Sequence, residues 1–119
     1  MGNWKGYIPD GTKDILFEEC SKKINLENIL RKIYVSSGYM EVKSPTLEFY
    51  DTFSGKNSIV PQERIYKLID RQGRILVLKA DMTTPIARIA GTKLEKVIHP
   101  LRLCYNSNVY RASESLKGK

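Results

Sequence analysis

Leu26, Ile29, Leu30, Ile33 and Tyr34 recur at i, i+3, i+4, i+7 and i+8. That spacing puts them on one face of a 3.6-residue period and predicts a helix from about Glu18 to Ser36. Lys22, Glu27, Arg31 and Lys32 fall mostly on the solvent side of that helix. Gly38 is placed to end it in a left-handed cap. Before it, Tyr7-Ile8-Pro9-Asp10-Gly11-Thr12 reads as an extended lead-in closed by a turn.

After Gly38 the period changes to two. Met40 and Val42 alternate with Glu41 and Lys43, which predicts a short strand ending before Pro45. Leu47, Phe49, Tyr50 and Phe53 form an aromatic-rich segment expected as a short helix or turn on the core. Ser54 to Gln62 has loop composition and is expected to be mobile. Ile65 to Ile69 and Arg74 to Leu78 then form a hairpin around Asp70-Arg71-Gln72-Gly73, with Gly where a positive φ is needed.

Thr84 can cap a second helix with Pro85 at its first position, and Ile86, Ile89, Ala90 and Leu94 make its buried stripe. The last strand is Leu101, Leu103 and Tyr105 alternating with Arg102, Cys104 and Asn106, continued by Val109 and Tyr110. A polar run from Ala112 to Lys119 finishes the chain. Mostly antiparallel strands with interspersed helices predict an α+β fold, with helices on one face of a sheet of about four strands. No strand follows Arg111 to pair with the last one, so the chain reads as cut short, with an exposed edge.

Composition narrows the options. At 119 residues the chain is one domain at most. With 41% hydrophobic and 28% charged residues it is an ordinary globular sequence, not a disordered one. No apolar run is long enough to cross a bilayer, and the N-terminus lacks a signal-peptide core, so a cytoplasmic location is expected. Cys20 and Cys104 are too few and too far apart for a disulfide framework, and reduced packing roles are expected. His99 has no second metal-ligand residue at a useful spacing, so no metal site is expected. A net charge of +7 invites an anionic partner, but the basic residues are spread evenly and no nucleic-acid motif appears.

The chemistry concentrates in Leu78-Lys79-Ala80-Asp81-Met82-Thr83-Thr84-Pro85-Ile86-Ala87-Arg88 and in Val109-Tyr110-Arg111. Asp81, Thr83 and Arg111 fall at or beyond the ends of expected neighbouring strands. A carboxylate can hold an ammonium group, and an arginine can hold a carboxylate or phosphate. Asp81 can equally cap the following helix, and Arg111 can equally be a solvated side chain.

An ordered set of segments carries a resemblance to a known family. Gly11-Thr12-Lys13-Asp14-Ile15-Leu16 resembles the opening of histidyl-tRNA synthetases and their paralogues. The long helix followed by Gly38-Tyr39-x-Glu41-Val42-x-x-Pro45-x-x-Glu48 resembles motif 1 of class II aminoacyl-tRNA synthetases. Tyr66-Lys67-Leu68-Ile69-Asp70-Arg71-x-Gly73 resembles their hairpin. Arg102-Leu103-x-Tyr105-x-x-x-Val109-Tyr110-Arg111 resembles the strand into motif 2. The resemblance implies a partial class II synthetase-like antiparallel sheet flanked by helices. Residues 1–119 would be the N-terminal part of that core, from motif 1 to the start of motif 2.

Within that family, synthetases usually carry Arg-Pro-Glu-Gly-Thr where this chain has Lys79-Ala80-Asp81-Met82-Thr83, and a Glu two places after the motif 2 arginine, where this chain has Ser113. Asp-Met-Thr-Thr-Pro-Ile-Ala-Arg with Arg-Leu-Cys-Tyr is similar instead to the regulatory subunits of ATP phosphoribosyltransferase. That resemblance implies a non-catalytic chain, with no catalytic residues and no cofactor, acting in histidine biosynthesis. Its implied partners are histidine, held by Asp81, Thr83 and Arg111, the short catalytic subunit, and a second copy joined through the motif 1 helix and strand. It implies no tRNA binding and no membrane. Two alternatives stand beside it: a fragment of a histidyl-tRNA synthetase using ATP and magnesium, and a stand-alone dimerisation module.

Overall fold

Asp70 organises the hairpin turn. Its carboxylate accepts the backbone N–H groups of Gln72 and Arg74, both at 2.9 Å, and Arg74 Nε at 2.8 Å. Gly73 completes the turn at φ +80°, a value that costs a side-chain-bearing residue about 1–2 kcal/mol. The expected hairpin is present, with β3 spanning Lys67–Ile69 and β4 Ile75–Leu78 in antiparallel register Leu68 to Leu76. A computed structural model describes residues 3–55, 58–98 and 100–112.

The segment expected as a helix or turn divides in two. Leu47–Phe49 is a strand, β2, and Tyr50–Phe53 is a single helical turn, α2. β2 lies antiparallel on the other edge of β4, giving a three-stranded sheet in the order β2-β4-β3. Period-two alternation is too short to detect over three residues, which is why β2 escapes the sequence pattern.

Val77, in the central strand, is fully buried. Phe53, Val60, Ile65 and Ala80 pack with it, and Tyr50 closes one side. Val60 belongs to the stretch expected to be a mobile loop, yet its side chain is only 2% exposed. Gln62–Arg64 then form a 3₁₀ turn. The opposite face of the sheet carries Leu47, Phe49 and Leu68, all more than a third exposed.

α1 runs Phe17–Ser36 and ends as expected. Tyr39 N–H bonds Tyr34 O at 3.0 Å, Gly38 N–H bonds Val35 O at 3.1 Å, and Gly38 sits at φ +91°. This is a Schellman closure, and the Tyr34 and Tyr39 rings meet edge-on at 5.9 Å as its apolar contact. The apolar face does not bury as the periodicity suggested. Leu26, Ile29, Leu30, Ile33 and Tyr34 are 42–57% exposed, and no residue of α1 is buried.

The helix instead touches the rest through residues assigned to solvent. Arg31 Nε bonds both Glu41 oxygens at 2.9 and 3.1 Å, and Glu27 bonds the Asn106 side chain as well as Lys23 Nζ of its own helix, the latter at 2.7 Å. Hydrogen bonds from Lys23 and then Asn106 hold the Glu27 carboxyl below its ordinary pKa. The Cα radius of gyration is 17.4 Å, against roughly 13–14 Å for a compact domain of this length. A helix standing off the sheet accounts for the difference.

β1, Met40–Glu41, pairs with β5, Leu103–Cys104, in parallel. The expected mostly antiparallel sheet is thus joined by a parallel pair, and the last strand is partnered by β1. Only two residues of the expected alternation enter the ladder, and its buried member is Cys104. Both Cys20 and Cys104 are free. Val109 and Tyr110 are not a strand, although Tyr110 N–H bonds Lys79 O at 2.9 Å and Ala112 N–H bonds Arg64 O at 2.7 Å. These bonds lay the last described residues beside the end of β4.

The lead-in turn forms, with Thr12 N–H on Pro9 O at 3.2 Å and Gly11 at φ +80°. Among the described residues no helix is long and apolar enough to cross a membrane. His99 and residues 113–119 of the polar tail lie outside the described residues.

Candidate functional site

The path from β4 into α3, Thr83–Gly91, carries the first two candidates. Asp81 is buried at 5% exposure. Its Oδ1 accepts Thr84 N–H at 2.7 Å and its Oδ2 accepts the Thr84 hydroxyl at 3.2 Å. A side-chain oxygen on the amide three residues later is the geometry that satisfies an orphan N–H at a helix start. Asp81 therefore performs the capping expected of Thr84, and Pro85 falls third in the helix rather than first. Ile86, Ile89, Ala90 and Leu94 are half-buried along one side, as their spacing predicts.

Thr83 is exposed at the first turn of α3. Met82 beside it is buried. Its sulfur lies 3.6 Å from the Ser44 hydroxyl, so it fills the space under the turn.

Arg111 reaches this region from the other end of the chain. Its Nε donates to Ala80 O at 2.7 Å, one residue before Asp81. The residue is otherwise exposed, and its terminal nitrogens bond no other group among the described residues. The fold thus brings Arg111 against the backbone that carries Asp81, without a direct contact between the two side chains.

Each carboxylate oxygen of Asp81 has a second lone pair, so the engaged cap can still accept from an ammonium group. The outer face of Arg111 offers two more donors in a fixed fork. Lys79 does not supply a third ligand-facing group here. Its ammonium donates to Ser44 O and Oγ at 3.3 and 3.2 Å, and its side chain is 4% exposed. Among the described residues no cluster of three metal-ligating side chains occurs.

Sequence spacing did not reveal the pairing of a buried carboxylate with a half-buried arginine. Glu48 in β2 and Arg88 in α3 are 40 positions apart and meet in two hydrogen bonds. The pair sits beside an open groove of about 630 Å³ whose walls include Val42, Pro45, Phe49 and Ile89. No local pattern announces such a pair, because each member alone reads as an ordinary surface charge.

Comparison with known proteins gives these residues a context. A family model described as histidyl-tRNA synthetase matches residues 11–119. The chain is 71% identical, over all 119 residues, to a Clostridium kluyveri protein named ATP phosphoribosyltransferase regulatory subunit, of which it covers 30%. A Bacillus halodurans crystal structure described as an ATP phosphoribosyltransferase regulatory subunit/histidyl-tRNA synthetase superposes at TM-score 0.84. It shares 39% identity, with 94% of this chain and 29% of that one covered. Apo histidyl-tRNA synthetase of S. aureus superposes at TM-score 0.75 with 28% identity, covering 87% of this chain and 29% of that one. The chain spans about 30% of the length of the curated relatives it matches. On the match across residues 11–119 and the shared class II synthetase-like fold, the chain belongs to the histidyl-tRNA synthetase family.

Proposed function

We propose that this chain is the N-terminal part of a non-catalytic regulatory subunit of ATP phosphoribosyltransferase. In this reading the whole protein binds histidine and the short catalytic subunit in the cytoplasm. The observation that carries it is the 71% identity, unbroken over 119 residues, to a protein bearing that name. The geometry agrees. Asp81, one methylene shorter than the glutamate of the synthetases it resembles, sits back in a helix cap, and buried Met82 occupies the space beside it. Adenylate formation demands tight placement, since a displacement on the order of 1 Å can cost about a hundredfold in rate.

Asp81 and Thr83 would receive the ammonium group of histidine, and the outer nitrogens of Arg111 its carboxylate. The exposed face of α1 would meet a second copy, with β1 alongside. Binding requires no metal or cofactor, and tRNA is not a ligand in this reading.

Calorimetric titration of the full-length protein with histidine, beside an ATP–pyrophosphate exchange assay, tests the proposal. Saturable histidine binding without exchange is expected. Histidine-dependent exchange would overturn it in favour of a synthetase.

A further inference from the structure

Arg88 and Lys79 both reach toward the interior, and only the first is matched by a carboxylate. Arg88 has the Glu48 carboxylate at 2.8 Å. Lys79, at 4% exposure, has only the neutral oxygens of Ser44, at 3.2 and 3.3 Å. Among the described residues no carboxylate lies within ion-pair distance of it, and its third N–H has no acceptor. Burying an ammonium group without a counter-charge costs several kcal/mol, so such groups are paired or hold an ion.

The surroundings of Lys79 explain how the charge is answered. Lys43, Ser44, Thr46, Lys79, Asn106, Ser107, Asn108 and Tyr110 line an open pocket of about 230 Å³. Its lining residues carry two ammonium groups, four hydroxyls and two amides, and no acidic side chain; of these, the Ser44 and Ser107 hydroxyls already donate to Met82 Sδ and Asn108 O, and Asn106 bonds Glu27. The lining comes from three separate stretches, 43–46, 79 and 106–110: the β2–β4 ladder and the Lys79 N–H bond to Thr46 O join the first two, and the β1–β5 pairing and the Tyr110–Lys79 bond add the third. The space is large enough for a small hydrated oxyanion.

We propose that this pocket binds a phosphate group. A phosphoryl group offers three strong acceptor oxygens and a charge of about −1.5 to −2, which suits two ammonium groups with the Thr46 and Tyr110 hydroxyls and the Asn108 amide beside them. Neither Asp81, Thr83 nor Arg111 lines the pocket, so the site is separate from the amino-acid site proposed above. The phosphate is either the free ion or the terminal group of a phosphomonoester.

Titration of the full-length protein with inorganic phosphate, at fixed ionic strength in chloride buffer, tests this. Saturable binding is expected, weakened about tenfold or more by Lys79→Met, the cost of one lost charge-assisted bond. Lys43→Ala, on an exposed rim residue, should weaken it several-fold with the fold intact, so the test survives a misfolded Lys79 variant. Glycerol 3-phosphate binding more tightly than phosphate, with the same Lys79 dependence, marks a phosphomonoester; weaker binding marks the free ion. Absence of saturable binding overturns the proposal. So does binding that neither variant changes, or a structure of the whole protein with a carboxylate of its remaining length seated on Lys79.

Discussion

Arg88 and Glu48 meet in a two-pronged pair, Nε to Oε1 at 2.8 Å and Nη2 to Oε2 at 3.0 Å, that fastens α3 to β2. The two partners are unequally buried, with the Glu48 side chain 4% exposed and that of Arg88 32%. Arg88→Met strands a buried carboxylate and should cost about 3–5 kcal/mol. Glu48→Ala leaves an arginine that can turn to water, and should cost less. Denaturant unfolding of both variants checks the order; equal losses would mean that the desolvated carboxylate is not the dominant cost.

Asp81 has two separable duties in the proposed function. Asparagine caps a helix about as well as aspartate, whereas alanine costs about 0.5–2 kcal/mol. Asp81→Asn should therefore keep the melting temperature while reducing histidine affinity about tenfold or more, since the charge on the ammonium's partner is gone. Asp81→Ala should lose both. Unchanged histidine affinity in Asp81→Asn would leave Asp81 a cap and nothing more.

The hairpin should weaken in acid. The Asp70 carboxyl is held below its ordinary pKa, first by the Arg74 backbone N–H and then by the Arg74 side chain and the Gln72 N–H. A depressed carboxyl pKa contributes stability that is complete above the unfolded value, about 3.9, and is lost as pH falls through the folded one. The melting temperature of the native protein should drop more steeply than that of Asp70→Asn below about pH 4. Parallel curves through that range would remove Asp70 as a source of acid sensitivity.

Self-association should depend on α1. Ile29 and Ile33 are 56% and 54% exposed on its uncovered face. Replacing both with glutamate should convert a dimer to a monomer in light scattering, with helix content by circular dichroism unchanged. A double variant that stays dimeric would move the interface elsewhere.

Local chemistry was legible in the sequence wherever a few neighbouring residues decide the outcome. The Gly38 closure, the Asp70–Gly73 turn and the stripe from Ile86 to Leu94 all follow from spacing and from where glycine is required. Two kinds of information were not legible. β2 and the parallel β1–β5 pair are too short to carry a period, and their partners lie far along the chain. The face of α1 was legible as apolar, but periodicity cannot distinguish a face that buries in its own chain from one left uncovered. At the candidate site, the capping role open to Asp81 and the convergence of Arg111 on its backbone needed coordinates. So did the internal position of Lys79, since lysine in isolation reads as a surface charge.

The β1–β5 pair sets an order of assembly. Met40 must find Leu103, about 63 positions away, whereas β3 and β4 are joined by five residues, 70–74. Closure entropy scales as (3/2)RT ln n, so the longer loop is disfavoured by roughly 2.2 kcal/mol for a ladder of only two residue pairs. The three-stranded sheet should form first and α1 should be tied down late. In pulsed hydrogen exchange, the Met40 and Val42 amides, which bond Arg102 O and Cys104 O, would then gain protection after those of the hairpin. Until that step, the 106–110 stretch has not joined 43–46 and Lys79, which β2 and β4 already hold together.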